Sequence, residues 1–465
     1  MRAMRATSAA TSARICRRCS CLLVLLLLAG CGRTSYDKQP DELLVGVLDD
    51  PVFYVPATSG REESGFEFDL LQGFAETLHK KLRVVRARNP VKLRQLLDEE
   101  AIDFVASIPI QPGNQIRFTK PLREAQPLIV QHAESLPVFE PSALAGRTIE
   151  VLAGSVQELS LQQLTLKPPV VIERPRVAND IDLMQRVSEY HSELAATDSL
   201  HFDLGVNYFP DLVVAQDLPG KVEYAWAFRP TDELLRAQAQ DYVADVHANG
   251  FLAKLHDRHF GHFKRITPIN AIQFIDDMRA VLPKYKAIFQ EAQNITGLDW
   301  RLLAALAYQE SKWDPVATSY TGVRGMMMLT DDTADELGVV NRLDPGESIL
   351  GGAEYLADLR DRLPEKVHDP DRLWLALAAY NIGMGHLTGA RQFAQALRRD
   401  PDSWYDMKKV LPLLSQPEYY ERLKAGRARG GEAVILVENV RTYYDILVRF
   451  ESPKRSPIQT GLAMQ

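Results

Sequence analysis

Cysteine is absent beyond position 31. The 465-residue chain holds four, Cys16, Cys19, Cys21 and Cys31, all close to its start. Long apolar runs are equally scarce. Only Leu22 to Ala29 is strongly apolar, and it falls well short of the roughly 20 residues that a membrane-spanning helix needs. That excludes a polytopic membrane protein. A basic excess is missing as well: 54 lysines and arginines stand against 61 acids, a net charge of −7. Five arginines and no acid fall in the first 31 residues, so the remainder carries −12. Proteins that grip nucleic-acid phosphates show the opposite balance, so no nucleic-acid partner is expected. There is no internal repeat and no low-complexity linker. The ten histidines are scattered. His256-Asp257-Arg258-His259 lacks a third metal ligand and reads as a solvated helix face. Neither a metal nor another cofactor is expected.

What is present begins with a leader. Arginines followed by Leu22–Leu28 and then Ala29-Gly30 read as a secretory signal over residues 1–30. Leu28-Ala29-Gly30-Cys31 resembles the lipobox of bacterial lipoproteins. The resemblance implies cleavage before Cys31 and acylation of its thiol, which attaches the chain to a membrane. The mature chain then keeps one cysteine and forms no disulfide, although its compartment would permit one. Gly32 after the cysteine, rather than Asp, points to the periplasmic face of the outer membrane. Residues 31–42 read as a polar tether.

Residues 43–267 alternate short apolar runs with helical spacing. Leu43–Val47, Leu82–Val85, Ile102–Ala106, Thr148–Leu152, Val170–Ile172 and Leu194–Thr197 predict strands. Leu70, Leu71, Phe74, Ala75 and Leu78 predict a helix, as does Val91–Leu97. Strand-helix alternation implies parallel α/β sheets. Val222–Phe228 alternates and is placed to return the chain to the first sheet. From about Ile269 helical periods dominate, with Ala433–Val437 the one strand-like run. The domain boundary is set near residue 268. The second domain runs over 268–455 and a tail over 456–465.

Gly65-Phe66-Glu67-Phe68-Asp69-Leu70-Leu71, Ala101–Val105, Arg117–Leu122 and Ala196-Thr197-Asp198-Ser199 resemble the amino-acid-type periplasmic solute-binding proteins. That family has two α/β lobes closing on a ligand. Its members carry an arginine in the loop equivalent to Ile110–Gln115, which pairs with the ligand carboxylate. This chain has none there. Arg117 is the first arginine that follows, and belongs either to the ligand site or to the next strand. Asp198 stands where the family holds an ammonium, and either does so or caps a helix. Simple amino-acid uptake is therefore not the leading expectation: a bulkier small ligand such as a cell-wall peptide, or a structural role for the domain, fits at least as well.

In Thr296–Pro315, Asp299 is placed to cap a helix that Pro315 ends. Leu303, Leu306, Ala307 and Glu310 follow at i, i+3, i+4 and i+7, so Glu310 extends an apolar stripe. A carboxyl so placed is partly desolvated, which raises its pKa and suits it to give and retake a proton. Tyr308-Gln309-Glu310-Ser311, Ser319, Gly322, Gly325-Met326-Met327-Met328 and Ala379-Tyr380-Asn381 resemble the transglycosylase domain of the soluble lytic transglycosylases, which share a fold with goose-type lysozyme. They match most closely a branch that joins a solute-binding-like domain to that domain.

The expected fold is therefore a two-lobed α/β periplasmic-binding-protein-like domain followed by a mainly α, lysozyme-like domain. The resemblance implies peptidoglycan glycan strands as substrate and Glu310 as acid and then base, with formation of 1,6-anhydromuramoyl ends. It places Ser319, Met326, Met327, Met328, Tyr380, Asn381 and Glu438 around the sugar, with Glu438 either structural or groove-lining. No companion carboxylate stands out: Asp314 precedes Pro315 and reads as a turn residue. The alternatives are a muramidase that uses water, and a solute receptor with a non-catalytic wall-binding domain.

Overall fold

A computed structural model describes residues 39–57, 63–111, 115–319 and 322–454. The leader, Cys31, the first residues of the tether and the tail lie outside them. Two sheets build the N-terminal half. The first has order β2-β1-β3-β11-β4, with β5 also on β11. Its strands are β1 (Glu42–Leu48), β2 (Lys81–Ala87), β3 (Phe104–Pro109), β4 (Arg117–Phe118), β5 (Arg123–Ala125) and, arriving last, β11 (Val222–Phe228). β1 pairs in parallel with β2 and β3, and β11 runs antiparallel to β3. The predicted return of Val222–Phe228 is thus realised.

The second sheet has order β10-β6-β9-β7-β8. It comprises β6 (Pro127–His132), β7 (Thr148–Glu150), β8 (Val171–Glu173), β9 (Leu194–Asp198) and β10 (Leu212–Asp217). β7 is parallel to β8 and β9, while β6 is antiparallel to both of its neighbours. The two sheets form the cores of two lobes. The chain crosses between them once in the Ala125–Pro127 stretch and once on the way from β10 to β11.

From Pro268 onward the regular elements of the described residues are α-helices and two 3-10 turns. The helix Trp300–Ser311 is enclosed on nearly every side, with Trp300 to Tyr308 and Ser311 all buried. The long helix Gly430–Phe450 packs against it and against Asp371–Ile382. Here the structure corrects the strand-like reading of Ala433–Val437, which lies inside that long helix. The β-branched, apolar run mimics a strand, but its burial is helical: Ala433, Val434, Leu436, Val437 and Val440 are buried while Ile435 is exposed.

The two halves meet along the helix Phe251–Phe260. It carries the His256–His259 run, and this too differs from the solvated face expected. Arg258 bridges Asp69 of the first lobe at 3.2 Å and Asp371 of the helical half at 2.6 Å. His259 reaches Asp69 at 2.9 Å. On the second lobe, Arg449 donates to Gln185 at 2.9 Å and pairs with Asp182 at 3.3 Å.

Candidate active site

The acid helix starts as the sequence predicts. Asp299 accepts the Arg301 main-chain N–H at 2.9 Å. It also holds the Arg301 guanidinium at 2.6 Å and accepts from the Tyr444 hydroxyl at 2.9 Å. The helix extends past Gln309 to Ser311, so Glu310 sits in a formed last turn, not a frayed one. Lys312 and Trp313 then adopt left-handed φ of 58° and 59°. This sharp reversal tucks the Trp313 indole back onto the helix, where its N–H donates to the Ala304 carbonyl at 2.8 Å. The ammonium of Lys312 lies 4.2 Å from the centre of the Tyr308 ring.

The chain that follows is pinned to the acid helix and its neighbours. Ser311 Oγ donates to the Met326 carbonyl at 2.8 Å, and Tyr380 donates its hydroxyl to the Met327 carbonyl at 2.6 Å. Met327 N–H donates to Ser348 Oγ at 3.1 Å. At Gly325 φ is +83°, and a Cβ would lie 1.8 Å from the Arg342 carbonyl oxygen, so only glycine fits. Arg342 in turn donates to the Leu329 carbonyl at 2.9 Å.

Glu310 keeps a partial opening to solvent at the end of the buried stripe. Burial alone pushes its pKa up to about 7, because a carboxylate loses hydration there. No charged neighbour contributes to the shift. Tyr380, at the end of the helix Asp371–Ile382, is held neutral first by burial and then by the charge of Glu310, which places the phenol in the acid's electrostatic reach. Asn381 follows it on the exposed side. Asp314 is taken up by its own turn, accepting Val316 N–H at 3.0 Å. Asp331 pairs with Arg342. Of these three carboxyls, Glu310 is the one whose pKa is raised by burial. Among the described residues no group of three or more His, Cys, Asp or Glu could hold a metal ion.

Several sequence-level placements change. Met326 and Met327 are fully buried. Their side chains fill the core, and their main-chain oxygens receive Ser311 and Tyr380; Met328 alone of the three is partly exposed. Ser319 makes a local turn, accepting Val323 N–H at 3.2 Å. Glu438 is wholly buried, accepting from Trp404 Nε1 at 2.6 Å and Arg441 at 2.9 Å. It is a packing hub, and of its two sequence readings the structural one stands. Its neighbour Asn439 turns the other way and donates to Gln309 Oε1 at 3.1 Å, beside the acid. Ser348 and Arg342 were not legible as site supports. The one hint is a serine in the buried row Ile349, Gly351, Gly352.

In the N-terminal half, a cavity of about 450 Å³ opens between the lobes. Asp198 lies behind its wall, fully buried, where it caps the helix Ser199–Tyr208. Arg117 is an exposed residue of β4 and does not line the cavity. The two residues singled out as ligand contacts are thus a cap and a strand residue.

Residues 43–262 match the family of bacterial extracellular solute-binding proteins, family 3. Residues 287–402 match the transglycosylase SLT domain family. The chain is 40% identical over 450 residues to the membrane-bound lytic murein transglycosylase F of Methylobacillus flagellatus, covering 94% of each. It is 38% identical over 449 residues to the protein of that name from Ectopseudomonas mendocina, covering 94% of this chain and 92% of that one. Among solved structures, a mutant of ArgBP from T. maritima aligns with a TM-score of 0.43 and 22% identity, over 48% of this chain and 96% of that one.

Proposed function

Because the chain belongs to the membrane-bound lytic murein transglycosylase F family, we propose that Glu310 carries its peptidoglycan-cleaving reaction alone, as acid and then as base. The enzyme is a lytic murein transglycosylase with a solute-binding-like domain ahead of it. The observation that carries the catalytic reading is the Glu310 carboxyl, raised to about 7 by burial at the end of its helix with no second carboxylate acting on it. Glycosidases that use water employ two carboxyl groups. One suffices when the substrate supplies its own nucleophile.

Protonated Glu310 gives its proton to the glycosidic oxygen between MurNAc and GlcNAc, and the bond from that oxygen to C1 breaks. The MurNAc C6 hydroxyl attacks C1, forming the new C1–O6 bond, and the ionised Glu310 takes the hydroxyl proton. The acid is restored and no water is consumed. An attacking group on the same sugar ring gains from proximity. Tyr380 and Asn381, at the end of one helix, border the place where the sugar would lie, with Met328 and Ser319 on the pinned loop opposite.

The first domain binds a wall fragment or other small ligand and regulates the enzyme, and acylated Cys31 ties the chain to the outer membrane. Product mass spectrometry of digested sacculi tests the reaction. Anhydro products are about 18 Da lighter than hydrolytic ones, since no water is added across the cleaved bond. Hydrolytic masses would overturn the single-carboxyl scheme.

A further inference from the structure

The cavity between the lobes takes its walls from both of them. Leu48, Val105 and Ile108 come from the first, Leu152 and Val177 from the second, and Asp180 lies among the latter. At about 450 Å³ it is large enough for a small peptide rather than for a single small ion. Most of its wall is apolar, and its charged lining residues are Asp49, Asp50, Arg88, Arg94, Asp180 and His201. Asp49 pairs with Arg86, Arg94 with Asp98 and Asp50 with His201.

The carboxylate expected to meet a ligand is already occupied. Asp198 accepts the main-chain N–H groups of Leu200 at 2.9 Å and His201 at 3.2 Å. The His201 ring reaches it at 2.9 Å through Nδ1, the Tyr224 hydroxyl donates to it, and Gln157 Nε2 lies at 3.3 Å. The other ring nitrogen of His201 meets Asp50 at 2.8 Å. Burial disfavours a charge on His201, but Asp198, Asp50 and Asp180 together hold it protonated, well above its usual range. An internal imidazolium thus sits where a ligand's ammonium would otherwise pair with Asp198.

Asp180 is different. It is the first residue of the helix Asp180–Ser188, is 9% exposed and lines the cavity, and among the described residues no salt bridge reaches it. Burial raises its carboxyl pKa to about 6, against the lowering effect of the His201 charge and of the Thr197 hydroxyl beside it. The local charge does not balance. Asp50, Asp180 and Asp198 face His201 and the buried guanidinium of Arg123, whose charge acts on Asp198. Asp50 and Asp180 both line the cavity; Asp50 is taken up by His201, whereas Asp180 has no salt bridge among the described residues. A buried anion of this kind is costly unless a cation reaches it.

We propose that Asp180, not Asp198, is the anionic anchor of the interlobe cavity, and that it receives the ammonium group of a ligand whose remaining body packs on the apolar walls. This rests on the reading of residues 43–267 as a ligand-binding domain. The displacement of the anchor has a structural cause: His201 neutralises Asp198 from within, and the free charge moves to the start of the neighbouring helix.

Calorimetric titration of the full-length protein in detergent micelles tests it. The probes are n-hexylamine and a peptidoglycan stem tetrapeptide, each compared with its N-acetylated form. Both amines are expected to bind, and acetylation to weaken each by at least about tenfold, because a buried charged hydrogen bond is lost. Asp180→Asn, checked for an unchanged melting profile, is expected to weaken both amines to a similar degree. Equal binding of amine and amide overturns the proposal without needing any variant, and so does wild-type affinity in Asp180→Asn. Absence of binding by both amines overturns it too. Binding of the acetylated tetrapeptide alone would leave a ligand-binding domain standing while removing the ammonium anchor. Anhydro products released by the same preparation report separately on the transglycosylase reading.

Discussion

Tyr380 donates its hydroxyl to the main-chain carbonyl of Met327 at 2.6 Å. This bond joins the end of one buried helix to the loop that Ser311, next to Glu310, also holds. Tyr380→Phe leaves that carbonyl without its donor. The expected cost is about 1–3 kcal/mol of stability, read from urea unfolding midpoints, together with reduced lysis of sacculi. Unchanged stability would show that the loop holds its position without the phenol.

Glu310→Gln removes the proton donor while keeping nearly the same shape. Lysis is expected to fall by at least about 100-fold, measured as clearing on murein-containing gels. The fold should survive, as judged by an unaltered near-ultraviolet dichroism spectrum. Wild-type clearing would sink the assignment of the acid.

The same substitution has a stability signature with a definite sign. Folding raises the Glu310 pKa from 4.5 to about 7, so across that window the folded chain binds a proton that the unfolded chain has released. Stability then falls as pH rises from 4.5 to about 7 and levels off above. A glutamine cannot ionise. At pH 8 Glu310→Gln should exceed the wild type by about 1–3 kcal/mol, after allowing for the group's partial solvent access, and at pH 4 the two should coincide. Thermal melts at the two pH values decide.

Activity should carry the matching limb. Glu310 must begin protonated, so kcat/KM is expected to decline above pH 7, roughly tenfold per unit once the group is ionised. A flat profile up to pH 9 would mean that another group supplies the proton.

Glu438→Ala strands Arg441 and the Trp404 indole N–H in the core. Removing one partner of a buried ion pair costs about 3–5 kcal/mol, visible as a lowered melting temperature. The alkaline limb of the activity profile should stay in place, because Glu438 is not a cause of the Glu310 shift.

Much of this was legible in the chain itself, and the limits are physical. Period-2 and period-3.6 patterns located the central strands and the acid helix, because burial on one face leaves a regular signature. β5, β6 and β10 escaped notice, lying next to the chain crossings between the lobes, and β4 was foreseen only as one of two readings of Arg117. Glu310 was found because it prolongs an apolar stripe. Glu438 was left as either structural or groove-lining, because its partners Trp404 and Lys408 come from another helix about 30 positions away, and no local pattern announces them. Met326 and Met327 show the same gap: composition cannot say which side of a loop meets the core. Asp198 and Asp180 are both acids beside helix starts, and only the fold shows that His201 seals the first while the second lines the cavity.

Arg258 fastens the first lobe to the helical half through Asp69 and Asp371, while Arg449 fastens the second lobe to it through Asp182 and Gln185. A clamshell riveted by both shells to the same plate cannot swing without tugging on the plate. Any change of angle between the lobes must therefore stretch or break one of these links, or turn the long helix that carries Arg449 and, ten residues earlier, Asn439 at the elbow of the acid helix.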